Sequence, residues 1–125
     1  MIANTANVLF DSETRVAPLG IIAMQGATEL GEKIDQYLVE WAGKGGYDYD
    51  TFLIEAQCPR FSSGDGKGLI KSTVRGHDLF IIVDVGNYNC KYTMFGNENS
   101  MSPDDHYQDL KRIIQAAAGK AHRTN

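Results

Sequence analysis

The sequence predicts an α/β fold with a largely parallel sheet flanked by helices, together with a small hairpin flap. Three observations support this class. The segments follow the order strand, helix, strand, short strand, strand, helix. Leu79 to Val83 form a continuous apolar, β-rich run, which is typical of a central strand buried on both faces of a parallel sheet. The segments that begin near Ala27 and Ser102 instead repeat their apolar residues at helical spacing.

Length, composition and charge narrow the class of protein. The chain has 125 residues, so we expect one domain over residues 1–125, large enough to bury a core without disulfides or metals. A formal charge of −4 argues against general affinity for nucleic acid or anionic membranes. No apolar run approaches the roughly 20 residues of a membrane helix, and the N-terminus lacks the pattern of a secretion signal. We therefore expect a cytoplasmic protein.

The two cysteines, Cys58 and Cys90, lie 32 positions apart and belong to no CxxC pair or Cys/His cluster. This spacing makes a zinc site improbable. We expect two buried, reduced thiols and no metal site.

The first third of the chain predicts one strand and one helix. Residues 1–15 are polar and mixed, and we expect a poorly ordered lead-in or an edge strand there. Residues 16–24 predict the first strand. Thr28 is a candidate N-cap for a helix that the glycines of residues 43–46 terminate. One apolar stripe marks its buried face: Leu30, Ile34, Leu38 and Trp41.

The middle of the chain predicts three strands. Residues 51–57 form the second strand, and a glycine-rich turn separates it from a short strand at residues 69–74. Residues 77–85 carry the strongest strand pattern and include the apolar run described above. Residues 86–99 are rich in turn formers around an alternating segment, residues 90–95, which favours a small hairpin flap.

The last helix has clear start and stop signals. Ser102 can cap it, Pro103 suits its first position, and Asp104 and Asp105 complement the helix dipole. Gly119 marks its end. The predicted buried face consists of Tyr107, Leu110, Ile113, Ile114 and Ala117. Because the chain stops just after this helix, where an α/β topology normally enters another strand, we expect a fragment of a longer protein.

Two short motifs have alternative interpretations. The glycines of residues 63–68 (SGDGKG) would let backbone N–H groups approach an anion, but Gly68 follows Lys67 where a P-loop requires Ser or Thr. A plain turn is therefore the favoured interpretation. Residues 104–106 (DDH) could suggest a metal cluster, but their position favours helix capping. Residue chemistry alone thus identifies no active site.

Two linked motifs resemble a known family. Residues 60–65 (RFSSGD) resemble the Arg-Phe-Ser-Asp-Gly-Glu segment of ribose-phosphate pyrophosphokinases, the phosphoribosyl pyrophosphate synthetases. Residues 72–82 (STVRGHDLFII) are similar to that family's Glu-Ser-Val-Arg-Gly-Lys-Asp-Val-Phe-Ile-Ile. Residues 26–30 and their helix resemble the family's first glycine-led turn and helix, so that the likeness covers residues 20–125.

This resemblance implies the N-terminal phosphoribosyltransferase-like domain of an enzyme that transfers diphosphate from ATP to ribose 5-phosphate with magnesium. It implies a homo-oligomer in which the loop reaches a neighbouring subunit's active site. Phe61 would stack on adenine, and Ser63 and Asp65 would occupy the acidic positions that hydrogen-bond the base. Thr73 and Arg75 fall at a regulatory phosphate site, although Arg75 could equally stabilise its turn.

The chain also departs from the family. Ser63 replaces an aspartate, and Asp65 is shorter than the family's glutamate. The family's catalytic, pyrophosphate and ribose-phosphate loops lie beyond Asn125, so we assign no catalytic residue and expect the 125 residues alone to be inactive. The alternatives are a non-catalytic regulatory or scaffold homologue and a free-standing small binding domain. The gene sequence past Asn125 would separate the enzyme from the scaffold homologue, because intact loops favour the enzyme and degraded loops favour the scaffold.

Overall fold

The structure, a computed structural model, describes residues 18–122 and shows a mixed α/β arrangement. The predicted lead-in at residues 1–15 and the start of the first predicted strand, Val16 and Ala17, lie outside the described residues. The strands are β1 (Leu19–Ala23), β2 (Ala56–Gln57), β3 (Leu69–Ile70), β4 (Asp78–Ile82), β5 (Lys91–Met94) and β6 (Asn97–Ser100). The helices are α1 (Thr28–Lys44) and α2 (Pro103–His122).

A small parallel sheet forms the centre of the fold. β1 pairs in parallel with β4 along its whole length, and on its other edge Ile21 forms a parallel bridge to Leu53. The backbone of Ile21 there accepts a hydrogen bond from Ile54 and donates one to Phe52. The remaining described pairs, β2 with β3 and β5 with β6, are antiparallel. The predicted α/β class is thus confirmed, with a parallel sheet that is small in the described residues.

The central strand is β1, and the prediction that residues 77–85 form a strand buried on both faces is wrong. β1 has three consecutive buried residues, whereas β4 alternates and leaves Phe80 61% exposed. The reason is the pairing. β1 has neighbours on both edges, while β4 pairs only with β1 among residues 18–122.

The two helices cover opposite faces of this sheet. Because successive side chains of a strand point to opposite faces, Ile21 and Ile22 enter two different apolar clusters. The cluster around Ile21 contains Ala42 of α1, and the cluster around Ile22 contains Ile113 of α2. Neither of these helices combines the length and apolar character that a bilayer span requires within residues 18–122.

The buried face of α1 differs from the predicted stripe at one end. Ile34, Leu38 and Trp41 pack against the core, but Leu30 is more than half exposed. Gly31 faces the sheet instead, and a Cβ on it would lie 2.4 Å from the Cβ of Ala23. The helix therefore approaches β1 through a residue that has no side chain.

The start of α1 also differs from the prediction. Ala27, rather than Thr28, is the N-cap, and no side chain caps the helix. The turn before it explains the shift, since the amide of Ala27 donates to the carbonyl oxygen of Met24 at 2.9 Å. Thr28 is consequently the first helical residue.

Local signals predicted the start of α2 and the hairpin correctly. Ser102 and Asp105 form a capping box: the Ser102 amide donates to Asp105 Oδ2 at 2.8 Å, and the Asp105 amide donates to Ser102 Oγ at 3.2 Å. β5 and β6 form the predicted hairpin, and Phe95 and Gly96 make its two-residue turn. The helix continues past the predicted end at Gly119 to His122.

The predicted apolar face of α2 is right only in part. Ile113 is buried, but Tyr107 and Ile114 are about half exposed. Polar side chains take the buried positions near the start of the helix, where His106 and Asp109 are almost fully covered. His106 Nε2 lies 2.6 Å from the carbonyl oxygen of Asn87, and this contact satisfies its buried ring nitrogen.

Candidate functional site

The segment that carries the family resemblance forms a tightly closed loop, residues 60–66. Arg60 and Gly66 form an antiparallel bridge across its base. Inside the loop, the amide of Phe61 donates to the carbonyl oxygen of Asp65 at 2.8 Å. The amide of Gly64 donates to the carbonyl oxygen of Phe61 at 2.9 Å. Gly64 has φ of +91°, a conformation that side chains disfavour. Gly64 therefore makes a tight turn within the glycine-rich segment.

A buried charge cluster anchors the 60–66 loop to α2. Asp109 is 4% exposed, and its Oδ1 accepts hydrogen bonds from Arg60 Nη2 at 2.9 Å and from Arg112 Nη1. Arg60 also donates through Nη1 to the carbonyl oxygen of Gly64 at 3.1 Å. The Asp109 carboxylate thus bridges the Arg60 guanidinium of the loop and the Arg112 guanidinium of α2.

The chain just after the loop lies directly against the backbone of α2. A Cβ on Gly68 would lie 2.3 Å from the carbonyl oxygen of Arg112, and one on Gly66 would lie 2.7 Å from the Arg112 side chain. Only glycine permits this separation at position 68, because a methyl group would overlap helix backbone there, whereas at position 66 it would meet the end of the Arg112 side chain. These two glycines therefore bring the loop and helix together, a role that their spacing did not reveal.

The hairpin formed by β5 and β6, residues 91–100, braces the loop from another side. The amide of Phe95, at the hairpin tip, donates to the carbonyl oxygen of Ser62 at 2.7 Å. The Arg60 guanidinium lies over the Tyr92 ring, 4.8 Å from its centroid. A Cβ on Gly64 would lie 2.8 Å from Met94 Sδ. The loop is therefore held by the helix and by the hairpin.

The three residues predicted to contact a nucleotide all lie on the exposed surface of this loop. Phe61 is 60% exposed although it is aromatic. Ser63 Oγ donates to Asp65 Oδ2 at 3.1 Å, so that these two polar side chains are already oriented toward each other. The structure thus brings Phe61, Ser63 and Asp65 together on one loop.

A groove of about 410 Å³ lies beside the Phe61 side chain. The other walls come from the glycine segment and from α2, and they include Lys67, Arg112 and Gln115. An aromatic ring and two cationic side chains consequently meet at one concave surface. Such a combination suits a planar, anionic ligand.

The two residues predicted for regulatory phosphate lie elsewhere. Thr73 and Arg75 occupy the exposed turn between β3 and β4, where the Arg75 amide donates to Thr73 Oγ1 at 3.3 Å. Gly76 follows with φ of +74°. Neither side chain lines the groove beside Phe61. The Arg75 guanidinium makes no ion pair with the described part of the chain.

A second cavity, of about 370 Å³, opens at the carboxyl end of β1. Gln25 and Thr28 line it on one side, and Cys58 and Asp109 on the other. Burial, reinforced by the nearby Asp109 carboxylate, raises the pKa of the Cys58 thiol to about 11. Burial likewise raises the pKa of Cys90. Both cysteines are free, as predicted, although Cys58 is only half-buried.

We expect Cys58 to react with iodoacetamide at pH 8 on the order of 100-fold more slowly than a cysteine in the unfolded chain. The thiolate is the reactive form, and a pKa of about 11 leaves very little of it at this pH. Mass spectrometry of the Cys58 peptide measures the rate, and the urea-unfolded protein is the control. The rate should rise with pH up to about 11. Equal rates in folded and unfolded protein would contradict the assignment.

The described residues offer no cluster suited to a metal ion. Within residues 18–122, no group of three His, Cys, Asp or Glu side chains is arranged to hold one. The carboxylate of Asp105 is instead engaged in the capping box with Ser102. Residues 18–122 therefore offer no three-ligand protein site for the magnesium that the resemblance implies for the whole enzyme.

Sequence reasoning missed the anchoring residues of the site. In the sequence Arg60 stands only as part of the family motif, and the predicted buried face of α2 includes neither Asp109 nor Arg112. One signal was available, since Asp109 and Arg112 are three residues apart on a helix and such charges commonly pair. Their long-range partner could not be inferred, because Arg60 and Asp109 are separated by 49 residues.

Comparison with known proteins agrees with the resemblance of the loop. No curated protein and no solved structure matches the chain significantly. Residues 19–125, however, match the family model described as the N-terminal domain of ribose phosphate pyrophosphokinase. This match contains the 60–66 loop, the hairpin and α2. The chain therefore belongs to the ribose phosphate pyrophosphokinase family, within that family's N-terminal domain.

Proposed function

We propose that this chain supplies the adenine-contacting loop of a ribose-phosphate pyrophosphokinase. The reaction converts ATP and ribose 5-phosphate to phosphoribosyl pyrophosphate and AMP, which serves nucleotide biosynthesis. One observation carries the proposal: Phe61 is 60% exposed on a loop that is fixed on two sides and borders a groove. An aromatic side chain held open to solvent by a rigid loop is suited to stacking on a base.

The fixed loop conformation favours binding of a planar base. The bridge between Arg60 and Gly66, the ion pair to Asp109 and the hydrogen bond from Phe95 to Ser62 order the backbone before any ligand arrives. A preorganised surface loses less conformational entropy on binding than a mobile one. Phe61 can therefore contribute most of its stacking energy to affinity.

Ser63 and Asp65 supply hydrogen-bonding groups on the same loop as the Phe61 ring. Asp65 Oδ2 accepts from Ser63 Oγ, which leaves Oδ1 to accept from the exocyclic amino group of adenine. The Ser63 hydroxyl oxygen is a further acceptor. This arrangement takes the place of the longer acidic side chains of the family motif.

The charges of the groove suit the phosphates of a nucleotide. Lys67 is exposed and lines the groove together with Arg112. Arg112 is already paired with Asp109, so Lys67 provides the accessible positive charge. In our proposal the loop projects toward a neighbouring subunit of a homo-oligomer, and ribose 5-phosphate and Mg²⁺ bind outside the described residues. Thr73 and Arg75 remain our candidates for a regulatory phosphate site.

Replacement of Phe61 by alanine tests the proposal in the full-length gene product. We expect the Kd for ATP, measured by isothermal titration calorimetry, to rise about tenfold or more, because base stacking contributes about 1–3 kcal/mol. Phe61→Tyr should retain most of the affinity, since it keeps the aromatic face.

Tyr88→Ala is the matched control for this experiment. Tyr88 is a similarly exposed aromatic residue that lies outside the 60–66 loop and does not line the groove. Its replacement should leave the Kd for ATP unchanged. An unchanged Kd in Phe61→Ala, with the protein folded, would show that Phe61 does not contact the nucleotide.

A further inference from the structure

We propose that Phe95, at the tip of the 91–100 hairpin, is a second aromatic contact for the nucleotide bound at the 60–66 loop. This inference rests on the proposed function and deepens it. It assigns a ligand-contacting role to the hairpin, which the family motif does not include. The argument comes from the position of Phe95, its backbone conformation and its exposure.

The hairpin tip is attached to the part of the loop that carries the base contacts. The Phe95 amide donates to the carbonyl oxygen of Ser62 at 2.7 Å. Ser62 lies between Phe61 and Ser63, the residues proposed to stack on the base and to bind its edge. Because this hydrogen bond joins backbone to backbone, Phe95 stays beside the base contacts whatever its side chain does.

The contacts on either side of this bond prevent the tip from swinging away. Met94 Sδ packs against the backbone of Gly64, which has room for it because glycine has no Cβ. Tyr92 places its ring under the guanidinium of Arg60. The hairpin therefore follows the loop over several residues, and its tip stays next to Ser62.

The backbone conformation of Phe95 disfavours the residue that is present. Phe95 has φ of +50° and Gly96 has φ of +78°. Two-residue hairpin turns with two positive φ values prefer Asn-Gly or Asp-Gly, because most side chains clash in the left-handed region. Burial does not explain the phenylalanine either, because 73% of the surface of Phe95 is open to solvent. Neither the turn nor the core accounts for a phenylalanine here.

A strained, exposed aromatic residue is instead typical of a contact surface. Phe61, which directly precedes the residue that accepts the Phe95 hydrogen bond, is a second exposed aromatic residue on this loop. A purine can contact one aromatic ring with its face and a second ring with its other face or its edge. Lys67 in the groove favours an anionic ligand. These features favour a nucleotide over a purely apolar partner.

Replacement of Phe95 by asparagine separates stability from binding, because the two should change in opposite directions. Asparagine tolerates positive φ, so the urea midpoint of the full-length gene product should rise. The Kd for ATP, measured by isothermal titration calorimetry, should rise about fivefold to tenfold through loss of one aromatic contact. Phe95→Tyr keeps the ring and should restore the affinity without the gain in stability.

The controls distinguish this inference from the proposed function. Tyr88→Asn removes an exposed aromatic residue away from the hairpin tip and should not change the Kd. If Phe61→Ala weakens ATP binding and Phe95→Asn does not, the inference about Phe95 is wrong and the proposed function stands. If neither variant weakens ATP binding, the proposed function itself fails. A change confined to the sedimentation of the oligomer would assign the tip to a second copy of the chain and would overturn the nucleotide contact.

Discussion

Replacing Asp109 with alanine is expected to lower the free energy of unfolding by about 3–5 kcal/mol. The carboxylate is almost fully buried and accepts hydrogen bonds from Arg60 and from Arg112. Its removal leaves two largely buried guanidinium groups without a counter-ion, and such groups are strongly destabilising. Urea-induced unfolding followed by circular dichroism measures the loss.

Asp104→Ala is the matched control for Asp109. Asp104 lies on the same helix but is exposed at its first turn, where its interaction with the helix dipole contributes about 0.3–1 kcal/mol. We also expect the loss at Asp109 to change little with added salt, because buried pairs are poorly screened. If Asp109→Ala were no more destabilising than Asp104→Ala, the buried cluster would not anchor the loop.

Replacing Gly68 with alanine is expected to destabilise the protein by about 1–3 kcal/mol or more. The added Cβ would lie 2.3 Å from the carbonyl oxygen of Arg112, and a helix backbone cannot move away as a flexible side chain can. The substitution would therefore push the chain that follows the 60–66 loop away from α2. Urea-induced unfolding of the variant measures this cost.

Gly43→Ala provides a control in which the same methyl group has the opposite effect. Gly43 lies within α1, and a Cβ there would meet no atom within 4 Å. Because alanine favours the helix and restricts the unfolded chain, Gly43→Ala should stabilise the protein by about 0.4–1 kcal/mol. Equal effects of the two substitutions would show that Gly68 does not approach the helix as closely as described.

The parts of the fold that were predictable depend on residues close together in the sequence. The partners of the capping box, Ser102 and Asp105, are three positions apart, and the hairpin turn at Phe95 and Gly96 has two residues. The capping box is decided by its own side chains and backbone, and the turn-rich segment around residues 90–95 predicts a hairpin although Phe95 itself is disfavoured in the turn. The family motif around Phe61 is likewise local, and it identified the loop that the structure places beside a groove.

What could not be predicted depends on contacts between distant segments. The run at residues 79–83 is more continuous than β1, yet β1 is central because Leu53 pairs on its free edge. On α2, Tyr107 and Ile114 are exposed while the polar residue Asp109 is buried, because Arg60 neutralises its charge. A prediction from hydrophobic periodicity uses only the polarity and spacing of the residues, so it cannot include a distant charged partner such as Arg60.

The anchoring of the site was hidden for the same reason. Gly66 and Gly68 look like ordinary turn residues, and only the position of α2 shows that a side chain there would clash. Arg60 appears as one letter of a motif until Asp109, far along the chain, lies beside it. The residues proposed to contact ligand were thus more accessible to sequence reasoning than those that hold the loop in place.

The ends of the hairpin meet at one point of the framework. The Met101 amide donates to the carbonyl oxygen of Cys90 at 2.8 Å. The hairpin of residues 91–100 therefore begins and ends at nearly the same place. Both residues are buried, and the capping box of α2 begins immediately afterwards at Ser102. The hairpin therefore enters and leaves the framework at one buried point, so a change in its length need not move the sheet or either helix.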